Sequence, residues 1–187
     1  MLCILGGTGV GKSHLAKILI NKYGYEKLVT YTTRPIREGE AEGVDYHFIS
    51  KTMFDSLCAG DFFAETMSFK VANGETWEYG TAVRDITDDK IVILSPSGLR
   101  ELKKDKSLNI MAVRLFASYG EIWNRLRKRG DDSEETARRI EADQKDFEDI
   151  DEYIDFAIRT DGYFSDEEIA DIINQIYSQK KEVNVDV

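Results

Sequence analysis

The sequence is poor in cysteine and proline and has no long apolar run. Its 187 residues include 2 Cys and 2 Pro. Neither Cys3 nor Cys58 belongs to a CxxC motif or a Cys/His cluster, so a disulfide or zinc site has little support, and we predict that both are small core residues. The longest apolar runs, residues 1–5 and 91–94, are far shorter than the roughly 18 residues that a membrane helix needs. No basic region precedes an apolar run at the N-terminus, and we therefore expect a cytoplasmic protein without a membrane partner.

Basic residues are outnumbered by acidic ones. The chain has 25 Lys and Arg against 35 Asp and Glu, which gives a net charge of −10. The resulting field repels polyanions and disfavours nucleic-acid binding through a general basic surface, so any anionic ligand must be held locally. An apolar content of 42% is typical of a globular protein, and 187 residues suit one domain over 1–187.

Apolar segments alternate with helical patterns along most of the chain. Residues 1–5 are typical of a buried parallel strand. Apolar residues at helical spacing follow from Lys12, and Gly24 is a plausible helix end. The apolar runs 91–94 and 110–116 predict further strands. This alternation predicts an α/β fold with a parallel sheet.

Two segments depart from the alternation. Between 30 and 83, Tyr46 and Phe48 alternate with polar residues, and Asn73-Gly74 is typical of a hairpin turn, which predicts a small β-rich insertion. Later, a helical pattern breaks at Gly130 and restarts in a heavily charged segment. We interpret this break as part of a mobile lid.

One glycine-rich motif has a specific chemistry. It matches GxxxxGK[ST] and stands directly after a predicted strand, at the start of a predicted helix. The backbone N–H groups of such a loop face a phosphate, and the helix dipole adds positive charge. Lys12 would reach the β- and γ-phosphates of a nucleotide, and the Ser13 hydroxyl would ligate Mg²⁺. The alternative is a simple glycine turn, but the match is complete and correctly flanked. The motif consists of Gly6, Gly7, Thr8, Gly9, Val10, Gly11, Lys12 and Ser13.

A second segment pairs two arginines. Arg34 and Arg37 lie three residues apart on a proline-containing loop, and Tyr46 follows shortly downstream. Paired guanidinium groups suit bidentate recognition of phosphate. The spacing is equally compatible with an exposed loop whose charges pair with Glu38 and Glu40. The residues alone leave both interpretations open.

Residues 30–48 resemble the guanylate kinase signature S/T-x-T-T-R-x-P-R-x-G-E-x-x-G-x-D-Y-x-F. Residues 62–65 and 79–81 are similar to the F-x-E and Y-G-T elements of that family, and the resemblance runs from about 2 to 161 in the family's order. It implies a P-loop kinase with a three-layer α/β/α core, a nucleoside-monophosphate-binding insertion over 30–83 and a helical lid over 124–139. The family transfers the γ-phosphoryl group of ATP to GMP with Mg²⁺, giving ADP and GDP.

The resemblance also implies roles for individual residues. The Thr30 hydroxyl and the Glu65 carboxylate would both contact the guanine edge. The carboxylate would accept hydrogen bonds from the N1–H and 2-amino groups. In the lid, Arg129 and Arg139 would neutralise charge on the transferring phosphoryl group, and Arg125 would assist at the ATP site. The implied ligands of the acceptor phosphate are Arg34, Arg37, Tyr46 and Tyr79.

One element of the family pattern is missing. Guanylate kinases typically carry D-x-D after the strand at 91–94, whereas this chain has Ser95-Pro96-Ser97. Ser97 therefore stands where a carboxylate would accept from the guanine 2-amino group, and we expect weaker metal binding and less sharp selection of guanine. The acceptor that the resemblance implies is GMP or a related monophosphate such as dGMP or IMP. Two alternatives stay open: a non-catalytic nucleotide-binding or interaction module, and a P-loop kinase for another small phosphoacceptor. The sequence leaves the oligomeric state undetermined.

Overall fold

The computed structural model describes residues 1–70 and 74–185. The hairpin turn predicted at Asn73-Gly74 lies in part outside the described residues. The strands are β1 (Leu2–Gly6), β2 (Glu26–Lys27), β3 (Tyr31–Thr32), β4 (His47–Phe48), β5 (Phe63–Lys70), β6 (Thr76–Ala82), β7 (Lys90–Ile93), β8 (Met111–Phe116) and β9 (Phe156–Arg159). The helices are α1 (Lys12–Tyr23), α2 (Lys51–Ala59), α3 (Pro96–Leu102), α4 (Tyr119–Arg129), α5 (Ser133–Asp146) and α6 (Asp166–Val185).

A parallel five-stranded sheet forms the core, in the order β2-β7-β1-β8-β9. Its central strand β1 is fully buried, since successive side chains of a strand point to opposite faces and both faces are covered. Leu2 and Ile4 belong to a cluster with residues of α1 and α6. Cys3 and Leu5 belong to a second cluster, which includes Leu99 of α3. The predicted three-layer α/β/α core with a parallel sheet is confirmed.

A second sheet interrupts the core between β2 and β7. It has four strands in the order β4-β3-β6-β5, and its longest ladder is the antiparallel pair β5–β6. Helix α2 packs on it through Phe54, whose ring stacks on Phe63 with 4.8 Å between the centroids. The pattern predicted a small β-rich insertion over 30–83, and this second sheet is formed by described residues of that range. The prediction that Cys58 is a core residue is wrong: it lies on the exposed side of α2, whereas Cys3 is buried.

The segment predicted as a lid consists of parts of two helices. Helix α4 ends at Gly130, whose φ of 88° is the left-handed conformation that favours glycine. Helix α5 begins after Asp132, whose side chain accepts the Glu135 N–H over 2.9 Å. Among the described residues, no helix is both long and apolar enough to cross a membrane.

Candidate functional site

The glycine-rich loop joins β1 to α1 in a conformation that glycines permit. A Cβ at Gly6 would lie 2.6 Å from the Leu115 carbonyl oxygen, so no side chain fits there. Gly9 and Gly11 have φ values of 79° and 99°. The Lys12 ammonium turns back and donates to the carbonyl oxygens of Gly6 (2.6 Å) and Gly7 (2.8 Å). The Lys12 ammonium thus lies against the loop at the N-terminus of α1, bonded to two of the loop's own carbonyl oxygens.

A carboxylate from α5 also contacts this loop. The backbone N–H of Thr8 donates to Asp143 Oδ2 over 2.6 Å. Burial lowers the pKa of Lys12, and the negative charge of Asp143 opposes that shift. No pattern in the sequence indicated a role for Asp143, because it lies 135 residues from Thr8 and outside every motif.

Arg125 of α4 lies beside the same loop. Its guanidinium donates to Thr160 Oγ1 (3.1 Å) and to the Thr160 carbonyl oxygen (2.8 Å). The Thr160 hydroxyl donates in turn to the Val10 carbonyl oxygen over 2.9 Å, so the end of β9 connects the arginine to the loop. A Cβ at Gly11 would lie 3.8 Å from Arg125 Nη1. The structure therefore brings Arg125 to the predicted ATP site.

The other two predicted lid arginines lie together and are paired with carboxylates. Arg129 Nε donates to Asp131 over 2.6 Å. Arg139 Nε donates to Glu135 over 2.8 Å, and its Nη1 lies 3.7 Å from Asp131. Hydrogen bonds from Arg138 and Arg139 lower the pKa of Glu135 to about 2. Both arginines are therefore neutralised by carboxylates of their own segment, Asp131 and Glu135.

A cavity of about 350 Å³ lies between the glycine-rich loop and the inserted sheet. Lys12 lines it on the loop side, and Ser95 and Pro96 line it after β7. Four residues predicted to bind the acceptor also line it: Thr30, Tyr46, Glu65 and Tyr79. The fold thus places predicted donor and acceptor groups around one cavity.

Glu65 is the buried carboxylate of this cavity. Its side chain is 5% exposed, and Oε1 accepts from the Thr81 hydroxyl over 2.6 Å. Its other oxygen, Oε2, is buried and finds no hydrogen-bond partner in the described part of the chain. Burial raises the pKa of Glu65, although the Thr81 hydrogen bond opposes the shift. The sequence indicated Glu65 through the family resemblance, but it assigned no role to Thr81.

The two arginines of the insertion have different surroundings. Arg34 is 4% exposed; its Nη2 donates to Glu40 over 2.6 Å, and its guanidinium lies 5.3 Å from the Tyr46 ring centroid. The Glu40 hydrogen bond is the main cause of the raised pKa of Arg34. Arg37 is exposed, and its guanidinium lies 5.7 Å from the Trp77 ring centroid. Arg34 therefore pairs with Glu40, as one of the two interpretations expected, but its own side chain is buried although the loop residues 35–39 are exposed.

The end of β7 presents hydroxyl groups where the family carries carboxylates. Ser95 is the N-cap of α3 and accepts the Gly98 N–H over 3.2 Å. The Ser97 hydroxyl is exposed and lies 2.9 Å from both Ser95 Oγ and Met67 Sδ. Ser97 is thus adjacent to the cavity through Ser95 and Met67, both of which line it.

The oxygen donors for a metal are few at this site. Within residues 1–70 and 74–185, no group of three or more His, Cys, Asp or Glu side chains could hold a metal ion. The Ser13 hydroxyl stands in the first turn of α1, next to Lys12. A hydroxyl is a hard oxygen donor of the kind that Mg²⁺ accepts when phosphate oxygens and water complete its coordination. The donor set fits Mg²⁺ that arrives with a nucleotide.

Comparisons with known proteins identify the family. The guanylate kinase family profile matches residues 1–186. The guanylate kinase of Nostoc sp. is 32% identical over 161 residues, which are 82% of this chain and 78% of that protein. The guanylate kinase of Neisseria gonorrhoeae is 35% identical over 138 residues, 73% of this chain and 67% of that protein. The crystal structure of guanylate kinase from Anaplasma phagocytophilum has the same fold: it matches 96% of this chain and 85% of its own at a TM-score of 0.68 and 21% identity. This chain belongs to the guanylate kinase family.

Proposed function

We propose that this protein is an ATP-dependent nucleoside-monophosphate kinase that transfers the γ-phosphoryl group of ATP to GMP, giving ADP and GDP. Family membership supports this activity. The observation that carries the proposal is the shared cavity, which Lys12 and the buried Glu65 both line. Phosphoryl transfer depends mainly on positioning and charge stabilisation, and this arrangement supplies both.

The donor nucleotide would lie on the glycine-rich loop. Backbone N–H groups of the loop would bind its β- and γ-phosphates, and Lys12 would exchange the carbonyls of Gly6 and Gly7 for phosphate oxygens. The Ser13 hydroxyl would hold Mg²⁺, and the bound ion would supply neutralisation of negative charge on the phosphates. Arg125 already lies beside the loop, and we propose that Arg129 and Arg139 approach the transferring group when segment 124–139 closes as a lid.

The acceptor would lie against the inserted sheet. Glu65 Oε2 would accept from the N1–H or 2-amino group of guanine, since it is the buried acceptor oxygen left without a partner in the described residues. Thr30 would contribute its hydroxyl to the same base. The acceptor phosphate would be held by Arg34, Arg37, Tyr46 and Tyr79, with Arg34 exchanging Glu40 for phosphate. Ser97 would offer the 2-amino group a hydroxyl in place of a carboxylate.

A coupled assay of ADP release tests this function. Mg-ATP is supplied with GMP, dGMP, IMP, AMP, CMP or UMP in turn, and we expect turnover with GMP. Lys12→Ala should lower kcat by about 10²–10³-fold, because it removes a preorganised charge at the transferring phosphate. Lys17→Ala, an exposed lysine on the same helix, is the matched control and should retain activity.

The alternatives predict other results in the same assay. Preference for IMP or another monophosphate would identify a kinase with altered acceptor specificity at Ser97. Calorimetric binding of GMP without any phosphoryl transfer would identify a non-catalytic module and contradict the proposal.

A further inference from the structure

The glycine-rich loop already holds an anion that belongs to the chain itself. The Thr8 N–H donates to Asp143 Oδ2 over 2.6 Å. A Cβ at Gly7 would lie 3.0 Å from the same oxygen, so the carboxylate lies against two consecutive residues of the loop. The N···O distance is slightly shorter than the usual range for an N–H···O hydrogen bond, in the direction that a charged acceptor favours.

This is the place where a bound nucleotide needs its donors. In a GxxxxGK[ST] loop the backbone N–H groups are the groups that face the phosphates. An N–H that points at a carboxylate does not also donate fully to a phosphate oxygen, and two anions at one donor repel each other. A nucleotide phosphate that accepts from the Thr8 N–H must therefore displace Asp143.

Asp143 also belongs to the helix that carries a proposed lid arginine. Arg139 and Asp143 are four residues apart in α5, so they lie on one face of that helix. The Asp143 contact ties this face to the loop. Release of Asp143 would therefore free the part of α5 that follows Arg139.

We propose that Asp143 is an internal competitor for the phosphate loop, which binds the Thr8 N–H in the empty protein and is displaced by the phosphates of the donor nucleotide. The competition lowers donor affinity and couples occupancy of the loop to the position of α5. The proposal rests on the proposed function for the identity of the donor, an adenine nucleotide with Mg²⁺.

Calorimetric titration of the full chain with Mg-ADP, without a monophosphate, tests this independently of phosphoryl transfer. Asp143→Ala removes both the charge and the acceptor, and we expect its Kd for Mg-ADP to fall about tenfold, which corresponds to about 1.4 kcal/mol. Asp143→Asn keeps an acceptor oxygen but no charge, and its Kd should fall less. Asp146→Asn is the matched control, because Asp143 and Asp146 both line the cavity between the glycine-rich loop and the inserted sheet, three residues apart in α5. The Kd of this control for Mg-ADP should change less than twofold.

Thermal unfolding provides a second readout. Asp143→Ala should lower the Tm of the empty protein, and the difference from the wild type should shrink at saturating Mg-ADP. The proposal is contradicted by an unchanged Kd in a folded Asp143→Ala variant, or by an equal gain in Asp146→Asn, which would indicate a general charge effect. Weaker binding by Asp143→Ala also contradicts it and would assign Asp143 to the groups that hold the nucleotide. If the wild type itself does not bind Mg-ADP, the proposed function fails as well, so the two failures are distinguishable.

Discussion

The proposed site has a donor half at the glycine-rich loop and an acceptor half around Glu65. The two differ in whether the polar groups that would bind a nucleotide already have hydrogen-bond partners. In the donor half, the Lys12 ammonium and the Thr8 N–H are bonded to other atoms of the chain. In the acceptor half, Glu65 Oε2 is buried and, so far as residues 1–70 and 74–185 are concerned, has no hydrogen-bond partner. A donor nucleotide must therefore replace internal partners, whereas an acceptor base supplies a missing one.

The difference has an energetic consequence. Exchange of one hydrogen-bond partner for another is nearly neutral, but a buried polar group without a partner costs about 1–3 kcal/mol. The unpaired Glu65 oxygen thus raises the free energy of the empty acceptor half. A base with a suitably placed N–H removes this cost by donating to that oxygen. Selectivity for the acceptor should depend on Glu65 more strongly than donor binding depends on any single loop contact.

Within the acceptor half, the largest effect on turnover is expected for Glu65→Gln. The amide would place an N–H₂ group or a weaker acceptor against the N1–H of guanine, and kcat/KM for GMP should fall about 10–100-fold, the range for a hydrogen bond to a charged group. KM for Mg-ATP should stay within twofold of the wild type. Steady-state kinetics with each substrate varied separately measures both values.

A matched substitution controls for loss of charge. Glu141→Gln makes the same chemical change at a surface glutamate that pairs with Lys145, and its kinetics should match the wild type. Equal losses in the two variants, or a loss confined to KM for ATP, would contradict the assignment of Glu65 to the acceptor half.

A smaller effect is expected for Thr81→Val. The Thr81 hydroxyl donates to Glu65 Oε1 over 2.6 Å and is fully buried, so valine would leave the second carboxylate oxygen without a partner. We expect kcat/KM for GMP to fall about five- to tenfold. The loss is smaller than for Glu65→Gln because the Thr81 hydroxyl orients the carboxylate but does not itself contact the base. Thr81→Ser keeps a hydroxyl and should restore most of the activity. If Thr81→Ser is as impaired as Thr81→Val, packing of the methyl group is responsible, and the orienting role is wrong.

A further effect of Glu65 concerns stability and pH rather than turnover. Burial raises the pKa of Glu65 above its ordinary value of 4.5, so its ionisation is less favourable in the folded chain than in the unfolded chain. The destabilisation is therefore absent below about pH 4.5 and develops as pH rises through the raised pKa of the folded state. Relative to the wild type, Glu65→Gln should gain about 1–3 kcal/mol in free energy of unfolding between pH 4 and pH 8, the cost of an unpaired buried group. Urea unfolding at both pH values measures this gain, and a gain that is larger at pH 4 would have the wrong sign.

The fold was predictable to a large extent. Residues 1–5 and 110–116 predicted strands of a parallel sheet, and β1 and β8 pair in parallel with Leu2 opposite Met111. Gly24 was predicted to end the first helix, and it follows α1 with a φ of 74°. These features depend on short stretches of chain, whose apolar pattern and glycine positions are visible without any partner segment.

The burial of individual side chains was not predictable. The sequence left Arg34 between two interpretations, and only the tertiary structure places Glu40 2.6 Å from its guanidinium in a buried position. The exposure of Cys58 was predicted wrongly, because a short helix on a small sheet buries one face and the sequence does not say which residues share it with Phe54.

The sequence by itself determined the glycine-rich loop, the alternation that builds the core sheet and, through the family signature, which side chains to consider at the acceptor. These are local patterns, because the spacing of residues along the chain is enough to define them. Only the tertiary structure decided that Asp143 would contact Thr8 and that Glu65 would be buried with one oxygen bonded to Thr81 and the other unpartnered in the described chain. Such pairings depend on how helices and sheets pack, because packing sets which polar groups lose water and which partner replaces it.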